Sequence, residues 1–306
     1  MIFRYLLSAD GDGQGRRRAA LGAALAGLLI ALLAGVIVFG IERAARQQRE
    51  IQVRQLATAV AHDLGGRLDR SLSAAIALGA VLRQGGGKVD HFKRLAGELI
   101  NQFGGISALQ LAPAGTISAV EPLAGNERVI GFSPLNDPQQ GPEARQIVAQ
   151  RQLGLSGPFE LRQGGIGVVG RNPVFLRDGE GDEVFWGLVQ VLIRVPDLLV
   201  MTRLDAIEQA GYGYELWRYR PASRERHVFA RSSDQALEQP VNIPIAVPNG
   251  EWVLSVAPDV GWYSLEDLLI DAAVVALIAL LGGLAAYLGL RQVQLLHRQA
   301  GRQSAS

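Results

Sequence analysis

Two uncharged apolar runs, residues 19–41 and 272–290, fence a long middle segment that is patterned like a folded domain. A membrane-spanning helix needs about 20 such residues. The first run is too long for a signal peptide, and Val38-Phe39-Gly40-Ile41 offers no small-x-small cleavage site. Beyond it Val53, Leu56, Val60, Leu64, Leu68, Leu72 and Ile76 recur every three or four residues, the stripe of an amphipathic helix. That helix runs to about Arg83 and stops at Gly85-Gly86-Gly87. Its stripe can face the chain's own domain or a second copy.

A second helix is predicted over 89–103, buried through Phe92, Leu95, Leu99, Ile100 and Phe103. Strands over 106–111 and 116–123 pair across the turn Pro113-Ala114-Gly115. A helix over 141–152 opens with Pro142 in its first turn. Strands at 156–162, 166–176 and 183–194, joined by glycine-rich turns, predict an antiparallel meander. A helix over 196–209 follows, then strands at 212–219, 227–231 and 251–257 in a smaller second sheet.

The fold class is therefore α+β, with two mixed α/β subdomains on a long stalk helix, flanked by two transmembrane helices. The divisions are a lead at 1–18, a first span at 19–41, a stalk at 42–87, a larger subdomain at 88–210, a smaller one at 211–263, a second span with its lead-in at 264–290, and a tail at 291–306. Ser264 and Asp267 have the spacing of a helix-capping pair, and Trp262 and Tyr263 that of an interfacial aromatic belt.

Charge sets the orientation. Asp259, Glu266, Asp267 and Asp271 precede the second span, whereas Arg291, Arg298 and Arg302 follow it. Basic residues stay on the cytoplasmic side. This predicts a two-span protein of the cell inner membrane, both termini cytoplasmic and the middle periplasmic or extracellular. The first span is flanked by arginines on both sides, Arg16 to Arg18 and Arg43, Arg46 and Arg49, and is less decisive.

Composition removes several functions. The net charge of +1 gives no basic surface for nucleic acid. The absence of cysteine removes disulfides, zinc-thiolate sites and thiol nucleophiles. The four histidines, His62, His91, His227 and His297, lack metal-ligand spacing. No serine elbow or carboxylate pair nominates a catalytic residue, and no cofactor is expected. Gly165-Ile166-Gly167-Val168-Val169-Gly170 spells the dinucleotide fingerprint, but Pro173 follows where a helix would have to begin, so a glycine-rich hairpin is expected. His62-Asp63-Leu64 is similar to a phosphoacceptor box, yet it lies on the outer side of the membrane and is read as a solvated helix face.

Several runs together resemble the CHASE family, the extracellular sensory domains of many cyclases and histidine kinases, plant cytokinin receptors among them. They are Leu109-Gln110-Leu111-Ala112-Pro113, Val120-Glu121-Pro122-Leu123, Leu155-Ser156-Gly157-Pro158-Phe159-Glu160-Leu161, Gly167 through Phe175, and Phe185-Trp186-Gly187-Leu188-Val189. The resemblance implies two PAS-like subdomains on the stalk, with the ligand held in the membrane-distal one. In the receptors an Asp and a Thr contact the adenine ring. Those positions fall at Ser133 and Arg171 here, which puts adenine recognition in doubt. Arg171 suits a carboxylate or phosphate instead.

The expected ligand-binding residues are Phe132, Ser133, Phe159, Leu161, Arg171 and Phe175. Strand alternation puts Phe159 and Leu161 on one face, and likewise Arg171, Pro173 and Phe175. Family members generally continue into an output domain, and this chain ends after a short tail. The function expected is a membrane-anchored sensor. It binds a small-molecule ligand and signals through the membrane to a separate or lost output module, with a homodimer through the stalk or a cyclase or kinase as partner. The alternative is a structural or assembly subunit of an envelope complex, binding protein through the same domain.

Overall fold

The computed structural model describes residues 12–221, 223–262 and 265–303. The first residues of the lead, Tyr263, the cap at Ser264 and the last three residues lie outside the described residues. Two compact units emerge, residues 1–51 with 260–306 and residues 52–259.

The terminal unit holds the beginning of helix α1 (Asp12–Gln84) and all of the last helix, Leu265–Gln303. Both helices are long and apolar enough to cross a membrane. Within this unit the helices touch through glycines. The Cα of Gly283 lies 3.7 Å from where a Cβ on Gly27 would stand. Only residues this small allow backbones so close. Arg46 stacks over the Trp262 ring at 5.9 Å.

In the middle unit α1 buries Val53, Ala57, Val60, Leu64, Leu68, Leu72, Ala75, Leu78 and Leu82. Ile76 is 48 % exposed, against the expectation from spacing. Steps of four residues advance about 400° on a helix of 3.6 residues per turn, so a run of fours drifts off the buried side. The chain returns with shorter steps, and Ala75 and Leu78 take the place of Ile76.

Helix α2 (Phe92–Phe103) precedes β1 (Ala108–Pro113) and β2 (Ala119–Glu121). After a short 3-10 turn come α3 (Gly141–Gln150), β3 (Gly154–Glu160), β4 (Ile166–Arg177) and β5 (Glu183–Arg194). The five strands form one antiparallel sheet in the order β2-β1-β5-β4-β3. The expected meander is β3-β4-β5, and residues 166–170 lie within a strand rather than opening a helix.

The helix expected over 196–209 is two short ones, α4 (Val195–Met201) and α5 (Asp205–Gln209). Thr202 breaks it: its backbone is extended, and its hydroxyl donates to the carbonyl of Leu199. Such side-chain bonding competes with helix continuation. The second sheet runs β7-β6-β9-β8, from β6 (Tyr212–Tyr219), β7 (Arg226–Arg231), β8 (Val241–Val247) and β9 (Gly250–Pro258). Its edge strand β8, with Pro244 in its middle, was not anticipated.

Candidate functional site

Strand β4 has two faces with different tasks. Gly170 lies against Leu72 of the stalk, and the Asn172 side chain donates to the carbonyl of Ala75 at 2.9 Å. Arg171, between them, therefore points to the opposite face, because side chains alternate along a strand. There the register aligns a polar row across three strands: Gln110 on β1 is opposite Gln190 on β5, which is opposite Arg171 on β4. All three are buried, Arg171 completely.

The Arg171 guanidinium donates from Nε to the Gln190 amide oxygen at 3.0 Å and from Nη2 to the Gln140 amide oxygen at 2.6 Å. Among the described residues neither Arg171 Nη1 nor Gln190 Nε2 has a hydrogen-bond partner. Among the described residues no carboxylate forms a salt bridge with this cation. Burial pushes its pKa down to about 10, opposed by the charges of Glu143 and Asp137. The group stays a cation at neutral pH. A buried charge without an ion partner is costly, and so is a buried donor without an acceptor. This arrangement favours an acceptor-bearing, anionic guest.

These donors border a cavity of about 20 Å³ lined by Gln110, Phe132, Gln140, Phe159, Leu161 and Val169 together with Arg171 and Gln190. Four of the expected residues, Phe132, Phe159, Leu161 and Arg171, thus converge. The Arg171 Cζ lies 5.8 Å from the Phe159 ring centre, and Arg162 covers the Phe132 ring at 4.2 Å. Ser133 is absent from the lining. It sits in the next turn, half-buried, its carbonyl accepting the Asn136 N–H at 3.2 Å. Phe175 is also outside. It lies four residues along β4 from Arg171, about 13 Å at strand spacing, with the Arg151 guanidinium 4.0 Å over its ring and Phe185 5.5 Å away. The glutamines at 110, 140 and 190 were not anticipated. Gln190 carried a readable signal, a polar residue inside the apolar run Leu188-Val189-Gln190-Val191-Leu192.

A larger groove, about 500 Å³, runs between α3 with β3 on one side and the second sheet on the other. Glu143 of α3 clasps the two sides. Its carboxylate accepts the Gly157 N–H at 3.0 Å and a bond from Arg218 Nη2 at 2.5 Å. Phe159, Arg220 and His227 also line the groove. Burial lowers the His227 pKa below its ordinary 6.5; Arg220 and Arg218 add to the shift and Glu143 opposes it. Below about pH 6.5 the unfolded chain takes up a proton that the folded chain resists, so folding stability falls with acidification. Melting curves at pH 7.5 and 5.5 should show a larger loss in the wild type than in His227→Asn; an equal loss would assign the acid sensitivity elsewhere.

A long helix backs one face of a five-stranded antiparallel sheet, a buried polar pocket lies on the opposite face, and a second sheet follows. Residues 87–226 match the CHASE domain. An extracellular ligand binding receptor from Desulfohalobium retbaense DSM5692 shares the fold, with a TM-score of 0.52 and 18 % identity over 68 % of this chain; the match spans 40 % of that receptor's length. The extracellular domain of a protein inferred to be a histidine kinase, rpHK1S-Z16, aligns with a TM-score of 0.49 and 12 % identity, covering 73 % of this chain and 97 % of that one. No curated protein matches the chain. No catalytic family is indicated. Among the described residues no group of three His, Cys, Asp or Glu could hold a metal ion.

Proposed function

We propose that this is a two-span sensory protein whose CHASE domain binds a small anionic ligand on Arg171 and passes the event across the membrane. One observation carries this reading: the fully buried Arg171 has a donor with no partner, while its strand neighbour Asn172 is bonded to the stalk helix. A ligand that completes the guanidinium's bonding favours one seating of β4. A shift of β4 is felt directly at Ala75 and Leu72, on the helix that leads back toward the first apolar run. The physical requirement is a ligand with different affinities for two packings of strand against helix. The signal then reaches an output module, a cyclase or kinase partner being the class the family implies, and the stalk offers a second copy a surface for pairing.

Thermal unfolding of the purified chain against a library of small acids tests the reading, since a ligand that binds only the native state raises the melting temperature. A stabilising acid whose effect is lost in Arg171→Met supports it; stabilisation that persists in that variant removes Arg171 as the anchor. Orientation has its own check. A reporter active only in the cytoplasm is expected to work when fused after Ser306 and to be silent when inserted at Asp178-Gly179. The opposite pattern would reverse the sidedness drawn from Arg291, Arg298 and Arg302.

A further inference from the structure

The Arg171 cavity and the groove between the sheets share a wall. Phe159 borders both, and the adjacent residues Gln139 and Gln140 divide between them, Gln139 on the groove and Gln140 in the cavity. The cavity is small, about 20 Å³, close to the size of a single water site. It offers two unpartnered donors, Arg171 Nη1 and Gln190 Nε2, a set that one carboxylate with two acceptor oxygens satisfies. The rest of any metabolite has to lie elsewhere.

The groove has the space, about 500 Å³, within the range of ordinary small-molecule sites. Four prolines, Pro138, Pro142, Pro158 and Pro221, are among its lining residues and stiffen its walls. Its two acids, Glu143 and Glu225, are balanced by Arg218 and Arg220, so the groove carries no net positive charge to hold a second anionic group.

We propose that the ligand is a monocarboxylic acid with a short apolar tail, its carboxylate on Arg171 and Gln190 and its tail passing Phe159 into the groove between the two sheets. This rests on the reading that Arg171 is the anchor, and adds the ligand's chemical class and the second half of its site. Such a ligand touches the strand that packs on the stalk and also the clasp of Glu143 with Arg218. Occupancy is then sensed by both sheets at once.

The test is a homologous series of acids, acetate through pentanoate, titrated calorimetrically into the full chain in lipid nanodiscs. Affinity is expected to rise about two- to fourfold for each added methylene, the gain for burying one CH₂. Gln146→Trp and Gln139→Trp fill the groove from exposed positions without touching the cavity. Both should abolish the rise while leaving acetate binding in place, and Arg171→Met should weaken binding of every acid roughly ten- to 150-fold. If acetate binds through Arg171 but affinity is flat along the series, or if the rise survives both tryptophans, the tail does not enter the groove; the inference fails and the anchor stands. If no acid binds the wild type, or if the series binds equally well to Arg171→Met, anchor and inference fall together.

Discussion

Gly187→Ala is expected to cost the domain about 3 kcal/mol or more of stability, or to prevent folding outright. Gly187 sits on β5 beside an irregularity, where Val174 pairs with Gly187 and Phe175 already pairs with Phe185. Its φ is 150°, and a Cβ there would lie 2.1 Å from the carbonyl oxygen of Ala112 and 2.8 Å from the Cα of Pro113. Both obstacles are backbone of the neighbouring strand, so no side-chain rotation relieves the clash. The pairing of β1 with β5 has to open, and the alignment of Gln110 with Gln190 opens with it. Chemical denaturation of the purified variant measures the effect; a loss below about 1 kcal/mol, within the ordinary run of substitutions, would show that the strands give way easily.

Arg171→Ala is expected to weaken ligand binding by about 1.5 to 3 kcal/mol, the range for a hydrogen bond to a charged group. That is roughly a ten- to 150-fold rise in Kd. Arg171→Lys should not restore it, because an ammonium lacks the planar fork that reaches Gln140, Gln190 and a guest together. Calorimetry with the tightest acid found in the library screen reads both variants. Full recovery by lysine would reduce the role of Arg171 to charge alone.

Periodicity made the larger sheet legible. The stretch 183–194 was read to the residue, and the other strands of that sheet to within a few residues at either end. What failed did so for local reasons. In β8 the alternation Val241, Ile243, Ile245 is plain and all three are buried, yet Pro244 stands in the middle of the run. Only the observed strand order reveals that β8 is at an edge, where a proline need not break a ladder. The site divides in the same way. Which face Arg171 and Phe159 occupy follows from counting residues. How far along that face a side chain lies from the cavity depends on where α3 crosses the sheet, and this placed Phe175 beyond the pocket. Gln140 is brought in by that same helix and has no periodic signature.

The clasp formed by Glu143, Gly157 and Arg218 also constrains recombination. Receptor engineering commonly exchanges one half of a sensory module for that of a relative, cutting at the loop between halves, here near Gly211. In this chain such a cut parts Glu143 from Arg218 and leaves each facing a stranger. Both side chains are nearly enclosed, with exposures of 15 % and 11 %, so water cannot simply replace the missing partner. A working graft has to carry α3, β3 and β6 as one inheritance unit, or import a matched acid and base at 143 and 218. The seam along which this sensor can be cut is therefore set by a single ion pair rather than by the division of its sheets.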